Sequence, residues 1–110
     1  MGEPQRTVQV GQIEIANGRP FVLIAGPCQI ESRAHALEMA HALREISGRS
    51  GVPIIYKSSY DKANRTSASA ARGIGIDDGL AILSDVREAT GLPVLTDVHT
   101  AEQAVRAAQA

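Results

Sequence analysis

The sequence predicts an α/β protein in which parallel strands alternate with helices, and three observations carry that prediction. Short apolar runs recur at Phe21–Ala25, Ile54–Tyr56 and Leu92–Thr96. Segments with helical spacing follow these runs, and glycines or prolines separate the elements. Strands that alternate with helices imply parallel pairing and right-handed crossovers. Three such units are compatible with the start of a doubly wound sheet and with part of a barrel, which needs roughly 250 residues when complete.

Length and composition set the domain organisation and exclude several classes of protein. The 110 residues are expected to form a single domain, with a β-hairpin cap at 1–19 and three βα units at 20–110. Hydrophobic residues make up 44%, charged residues make up 21% and the formal net charge is −1, which argues against disorder and against nucleic acid or a membrane as partner. No signal peptide is visible, no apolar run could span a bilayer, and one cysteine excludes an internal disulfide. We therefore expect a cytoplasmic protein.

The first elements are a hairpin, a strand and a helix. Alternating apolar residues over Val8–Ile15 predict two short strands that are joined tightly at Gly11. The continuous apolar run Phe21–Ala25 predicts a strand that is buried on both faces. Ser32 is the predicted N-cap of a helix that runs to about Ser47. That helix is expected to bury four residues spaced three apart: Leu37, Ala40, Leu43 and Ile46.

The second unit contains a long polar stretch. Ile54–Tyr56 predicts a strand that leads straight into Lys57. The following stretch, 58–76, has no clean periodicity, and loops longer than about 12–15 residues are usually functional. Asp77 is predicted to cap a second helix that ends at Gly91. Its expected inward face consists of Leu80, Leu83, Val86 and Ala89.

The last unit begins with Leu92–Thr96, the third predicted buried strand. Thr100 and Gln103 have the spacing of a capping box for a helix from Ala101 onward. The sequence stops inside that amphipathic helix without a C-cap signal. We therefore expect the chain to be a fragment of a larger α/β protein.

Three polar sets follow the three predicted strands, and their convergence is the main argument for a site. They are Gly26-Pro27-Cys28, the stretch Lys57–Arg65, and Asp97 with His99. Ligands of parallel α/β proteins bind at the carboxyl ends of the strands, where all three sets would meet. Each set alone would be a weak signal.

The stretch Lys57–Arg65 favours a phosphate ligand over an ordinary solvated loop. Lys57, Lys62 and Arg65 place three cations within nine residues, and Asp61 is the only acid among them. Cations combined with hydroxyl and amide donors provide what phosphate oxygens need. The neighbouring residues with such groups are Ser58, Ser59, Asn64, Thr66 and Ser67.

The other two sets each leave two interpretations open. Cys28 could be a small buried residue, which is the commonest fate of a free cysteine, or a metal thiolate that needs further ligands. Asp97 and His99 flank Val98, so on an extended strand they point to the same face. Together they could position a hydroxyl or relay a proton, or they could simply cap nearby backbone groups.

These motifs together resemble those of 3-deoxy-D-manno-octulosonate 8-phosphate synthases over essentially the whole chain. The most specific part is KSSYDKANR at 57–65, and the other segments are Ala25–Cys28, Glu31-Ser32, Arg72–Gly75 and Thr96–His99. The GPC and ES elements are shared with the related 3-deoxy-D-arabino-heptulosonate 7-phosphate synthases, which usually carry a different segment after the second strand. The resemblance implies a (β/α)8 TIM barrel, of which this chain would supply the hairpin cap and the first three βα units.

The resemblance also implies an activity. Members of this family condense phosphoenolpyruvate with arabinose 5-phosphate and water, release phosphate, and supply the lipopolysaccharide core. They are cytoplasmic transferases, usually homotetramers, and their partners are small phosphorylated substrates. Two alternatives stay open: a truncated, non-catalytic barrel fragment, and a heptulosonate 7-phosphate synthase.

The resemblance assigns roles to individual residues. Lys57 and Lys62 correspond to ligands of phosphoenolpyruvate, and Lys62 also lies near the reacting aldehyde as a catalytic residue. Arabinose 5-phosphate is expected to contact Asn64 and Arg65, and Arg65 would take its phosphate. Substrate-binding hydroxyls are expected from Ser59 and from Thr66, where the family commonly has serine.

Further roles concern the sugar and a metal ion. Asp97 corresponds to a catalytic residue that orients the sugar and contributes to the surroundings of the metal-bound water. His99 is similar to a residue that neighbours this group and is expected to be substrate-binding. The family has a metal-dependent class with cysteine at the position of Cys28 and a metal-independent class with asparagine there. Cys28 therefore implies a divalent Zn, Fe or Mn ion whose other ligands lie on strands that this sequence lacks.

Overall fold

The structure, a computed structural model, describes residues 6–61 and 74–110. Its described elements alternate between strands and helices after an initial hairpin, as the sequence predicts. In chain order they are β1 (Val8–Val10), β2 (Ile13–Ile15), β3 (Leu23–Ala25), α1 (Arg33–Ser50), β4 (Ile54–Lys57), α2 (Ile76–Thr90), β5 (Val94–Leu95) and α3 (Ala101–Ala107). None of the helices in these two ranges is long and apolar enough to cross a membrane.

Two small sheets confirm the predicted pairing. β1 and β2 form an antiparallel hairpin, and Gly11 makes its tight connection at a φ of 55°, which favours glycine. β3, β4 and β5 form a parallel sheet in that order. Since β4 is the central strand, the segments that follow it lie between those that follow β3 and β5.

Helix α1 begins where the sequence predicts and runs three residues further than expected. The Ser32 hydroxyl accepts a hydrogen bond from the His35 N–H at 3.1 Å, and Gly51 ends the helix in the left-handed region at φ 75°. The predicted buried stripe is wrong at Ile46, which is 44% exposed. A strict three-residue spacing drifts around a helix of 3.6 residues per turn. Ala40 is buried as predicted, Leu37 and Leu43 are half-buried against the core, and Ala36 is buried in addition.

Two predictions for helix α2, its N-cap and the last residue of its buried face, are wrong. Its N-cap is Gly75, whose carbonyl accepts the Gly79 N–H at 3.0 Å, so Asp77 lies inside the first turn and does not cap the helix. The Asp77 carboxylate is paired with Arg106 of α3. Ala89 is exposed, and Thr90 takes the buried position at the end of the helix, where its hydroxyl donates to the Val86 carbonyl at 2.7 Å. Gly91 ends the helix as predicted.

The three parallel strands differ in burial, which also departs from expectation. Ile54, Ile55 and Tyr56 of β4 are buried, whereas Leu23 and Ile24 of β3 are 41% and 53% exposed. Leu95 of β5 is 38% exposed. Within the described residues β3 and β5 each pair on one side only, with β4. The prediction of strands buried on both faces therefore holds for the central strand and is wrong for the two edges.

A close backbone approach fixes the carboxyl end of β3 against β4. A Cβ atom added at Gly26 would overlap the carbonyl oxygen of Lys57. Glycine is thus required here by space and not by a left-handed backbone. This contact brings the segment after β3 beside the segment after β4.

Candidate functional site

Three loops meet at the carboxyl edge of the parallel sheet: the β3 loop (26–32), the β4 loop (58–61, as far as it is described) and the β5 loop (96–100). The Ser59 N–H donates to the Cys28 carbonyl at 3.1 Å, and the Ile30 N–H donates to the Ser59 carbonyl at 2.9 Å. The Ser58 hydroxyl donates to the Pro27 carbonyl at 2.6 Å. These hydrogen bonds extend the β3–β4 pairing beyond the strands and hold the β3 loop against the β4 loop.

A connected series of polar side chains runs from the end of β4 to the β5 loop. The Lys57 Nζ lies 3.2 Å from the Ser59 Oγ, and the Ser59 hydroxyl donates to the Asp97 carboxylate. The second oxygen of Asp97 lies 3.6 Å from His99 Nε2. Four of the residues predicted from sequence are therefore in one connected group, and Asp97 and His99 do point to the same side.

The surroundings of Asp97 keep its carboxyl group ionised. Partial burial by itself raises the pKa, but the hydrogen bond from Ser59, a backbone hydrogen bond and the nearby charges of Lys57 and His99 outweigh it. The pKa of Asp97 is consequently lower than its ordinary value of 3.8. The group combines a fixed negative charge with an ammonium and an imidazole, which suits the binding of a hydroxylated anion.

Sequence reasoning missed a second connection between the same loops. Tyr60 is only 2% exposed, and its hydroxyl donates to Gln103 Oε1 at 3.0 Å. The same oxygen accepts the His99 N–H at 2.8 Å. Burial, followed by the charges of Asp97 and Asp61, raises the pKa of Tyr60, so the phenol remains a donor. The available signal was an aromatic residue inside a polar loop of a chain with only two Tyr and one Phe.

The predicted capping box forms with a changed partner. The Thr100 hydroxyl accepts the Gln103 N–H at 3.1 Å, as expected for the N-cap of α3. The Gln103 side chain, however, turns to the N–H of His99 and not to that of Thr100. Gln103 thereby connects the backbone of the β5 loop to the first turn of α3.

Several predicted site residues lie outside the described residues. They are Lys62, Asn64, Arg65 and Thr66. Of the three predicted phosphate cations, the structure thus describes Lys57 alone. The roles assigned to the other four residues remain predictions from the sequence.

Cys28 is a free, exposed thiol on the β3 loop, so the interpretation of a buried structural cysteine is wrong. No group of three or more His, Cys, Asp or Glu residues that could hold a metal ion occurs within 6–61 and 74–110. A catalytic metal normally needs three protein ligands. The residues described here therefore do not fit a complete metal centre.

Fold and site together define a parallel α/β protein whose candidate ligand site is built from loops at the carboxyl ends of its strands. The chain belongs to the DAHP synthetase I family, which it matches over residues 3–110.

Curated relatives named 2-dehydro-3-deoxyphosphooctonate aldolase agree with the resemblance seen in the sequence. The protein from Rhodopseudomonas palustris strain BisB5 is 59% identical over 107 residues, which is 97% of this chain and 37% of the relative. The protein from Methylobacterium radiotolerans is 60% identical over 103 residues, covering 94% and 36%. The protein from Caulobacter vibrioides strain NA1000 is 66% identical over 87 residues, covering 79% and 30%. The matched part of the chain thus covers between 30% and 37% of the length of these relatives, and the predicted membership is confirmed.

Proposed function

We propose that the full-length protein condenses phosphoenolpyruvate with arabinose 5-phosphate and water to give 3-deoxy-D-manno-octulosonate 8-phosphate and inorganic phosphate. The observation that carries the proposal is the identity of 59% over 97% of the chain to a relative named for a phosphorylated deoxyoctonate. The connected group from Lys57 to Asp97 at the carboxyl edge of the sheet supports it.

The reaction makes a specific electrostatic demand. It brings two phosphorylated substrates together, so cations must offset their repulsion and the charge that develops on the reacting oxygens. Lys57 provides one such cation at the end of β4, within reach of Ser59. We propose that Lys62 and Arg65 provide two more, and that Asn64 and Thr66 supplement them with donors.

The proposed chemistry forms one carbon–carbon bond and one bond between C2 and the oxygen of water, and it breaks the bond between C2 and the phosphate oxygen. C3 of phosphoenolpyruvate attacks the aldehyde carbon, and the aldehyde oxygen takes a proton to become a hydroxyl. Water adds at C2 and gives up one proton, which balances the proton taken by the aldehyde oxygen. The resulting hemiketal phosphate then expels inorganic phosphate, which takes the remaining hydroxyl proton, and a ketone is left. In this scheme Lys62 acts beside the aldehyde, while Asp97 and His99 orient the sugar hydroxyls.

We propose that the full-length protein closes into a (β/α)8 barrel and assembles as a homotetramer in the cytoplasm. The exposure of Leu23, Ile24 and Leu95 supports the first part, because apolar residues on edge strands are normally covered by neighbouring strands or helices. The metal expectation stays a prediction, since the described residues contain no group of three or more possible ligands to which Cys28 could belong. No step proposed above passes through a metal.

The test is turnover by the purified full-length protein with phosphoenolpyruvate and arabinose 5-phosphate, followed as phosphate release and by the mass of the product. Phosphate release should require both substrates and should match the eight-carbon product in amount. No product with the full-length protein would overturn the proposal. The 110-residue chain assayed alongside should be inactive, because the remaining length of the relatives would supply the opposite side of the site.

The family description favours one second candidate, a synthase of the seven-carbon heptulosonate phosphate. Both reactions add the three carbons of phosphoenolpyruvate to an aldose phosphate, of five carbons in one case and four in the other. The sugar accepted by the full-length protein therefore separates them.

A further inference from the structure

Two separate bridges join the β4 loop to the β5 loop. One runs through the predicted site residues, from Ser59 to Asp97. The other runs through Tyr60 and Gln103, neither of which has a role in the proposed reaction. Ser59 and Tyr60 are adjacent in the chain, so the β4 loop contacts the β5 loop directly through Ser59 and, by way of Gln103, through Tyr60.

Gln103 is the centre of this second bridge, because it makes three hydrogen bonds to different parts of the structure. Its Oε1 accepts from the Tyr60 hydroxyl at 3.0 Å and from the His99 backbone N–H at 2.8 Å. Its own N–H is held by the Thr100 hydroxyl at 3.1 Å. One amide oxygen thus links the buried core, the backbone of the β5 loop and the first turn of α3.

Tyr60 is suited to be the fixed end of the bridge. It is 2% exposed and packs in the core, and a Cβ atom added at Gly79 of α2 would overlap its side chain. A phenol that is buried and close to carboxylates stays protonated, so the donor is permanent. The β5 loop, in contrast, is largely exposed at His99 and Thr100 and needs an external anchor.

We infer that Tyr60 and Gln103 are positioning residues that hold the β5 loop, and with it Asp97 and His99, against the β4 loop. They act by fixing the backbone of His99, whose N–H donates to Gln103 Oε1. The prediction that they affect turnover rests on the proposed function. The hydrogen-bonded link between the β4 loop and the β5 loop does not depend on that function. The link therefore has a test of its own.

The first test is hydrogen exchange of segment 95–100 in the ligand-free full-length protein. Gln103→Met removes the accepting oxygen, and we expect the His99 amide to exchange roughly threefold to tenfold faster, which corresponds to the loss of one neutral hydrogen bond. Tyr60→Phe should give a smaller increase and should add nothing in the Gln103→Met background, because its hydroxyl acts through Gln103. Unchanged exchange in Gln103→Met, or full additivity of the two variants, would overturn the inference.

Two control variants separate positioning from general stability. Gln109→Met makes the same chemical change on an exposed residue after α3. Thr100→Ala removes the hydroxyl that accepts the Gln103 backbone N–H but leaves the Gln103 side-chain oxygen present. Neither should reproduce the exchange pattern of Gln103→Met. If Thr100→Ala gives the same pattern, the bridge is only part of helix stability and the inference fails.

The second test is kinetic. Gln103→Met should raise the KM for arabinose 5-phosphate about tenfold and change the KM for phosphoenolpyruvate less than about twofold, because Lys57 is held by β4 and not by the bridge. Equal effects on both substrates, or none, would contradict the positioning role. If the wild-type protein turns over neither substrate, the proposed function fails and hydrogen exchange alone decides the inference.

Discussion

The hydroxyl of Ser59 donates a hydrogen bond to the carboxylate of Asp97 and so joins the loops that follow two adjacent parallel strands. Ser59 is 8% exposed and also lies 3.2 Å from the Lys57 ammonium. Its hydroxyl therefore connects the ammonium of Lys57 with the carboxylate of Asp97. A cation and an anion thus lie close together at the carboxyl edge of the parallel sheet.

Ser59→Ala should raise the pKa of Asp97. Burial already acts in that direction, and the variant removes the hydrogen bond that most strongly opposes it. The measurement is the carboxyl 13C shift of Asp97 as a function of pH in wild type and variant. Ser50→Ala, which lies at the far end of α1, is the control and should leave the midpoint in place. A wild-type midpoint at or above 3.8 would contradict the description of this site.

Asp97→Asn should change how stability depends on pH. A carboxyl group whose folded pKa is lowered contributes stability above its unfolded pKa, and that contribution disappears as the pH falls through the folded value. The stability difference between wild type and Asp97→Asn should therefore shrink as the pH is lowered from about 6 to about 2. Chemical denaturation of both proteins across that range measures it, and a difference that stays constant would be inconsistent with the lowered pKa.

Gly26→Ala should destabilise the protein because the added methyl group meets the Lys57 carbonyl oxygen. Overpacking of this kind costs about 1–3 kcal/mol, and here it would also push β3 away from the site. Gly48→Ala is the matched control, since Gly48 lies in α1 with open space around it. It should stabilise the helix by about 0.5–1 kcal/mol. Thermal unfolding of the two variants measures both effects, and equal shifts would refute the close approach.

Lys62→Ala in the full-length protein should abolish measurable turnover, which means a loss of about a hundredfold or more. The reason is that Lys62 is proposed to stabilise charge next to the reacting aldehyde. Arg44→Ala, which removes an exposed cation from α1, is the control and should be neutral. A near-normal rate for Lys62→Ala would refute its catalytic assignment.

Removal of divalent metal should stop turnover if Cys28 marks the metal-dependent class. Treatment with a chelator is expected to inactivate the full-length protein, and added Zn, Fe or Mn should restore it. Cys28→Ser should weaken metal retention, as measured by metal content after gel filtration. Turnover that a chelator leaves unchanged would exclude this assignment.

The order and pairing of the elements could be predicted because hydrophobic patterning determines them. The apolar run Ile54–Tyr56 is buried, as its composition predicts, and in β2 the apolar Ile13 and Ile15 are more buried than Glu14 between them. In β1, by contrast, Val8 is 56% exposed. Details that depend on tertiary contacts could not be predicted. Asp77 looked like a cap, but Gly75 turns the chain two residues earlier, and Arg106 from another helix takes the carboxylate.

The candidate site could likewise be predicted from the sequence only in part. The sequence motifs predicted Lys57, Ser59, Asp97 and His99 as site residues, and the strand topology brings these four side chains together. The role of Gln103 could not be found, because its spacing from Thr100 already has a local explanation as a capping box. Only the three-dimensional structure shows that its side chain leaves the helix end to meet a buried phenol.

The most direct test of the central claim is the choice of sugar by the full-length protein. The account predicts that, with saturating phosphoenolpyruvate, kcat/KM for arabinose 5-phosphate exceeds that for a four-carbon aldose phosphate by about a hundredfold or more, as a site built to bind the additional hydroxyl would require. A preference for the four-carbon sugar, or turnover of neither, would contradict it.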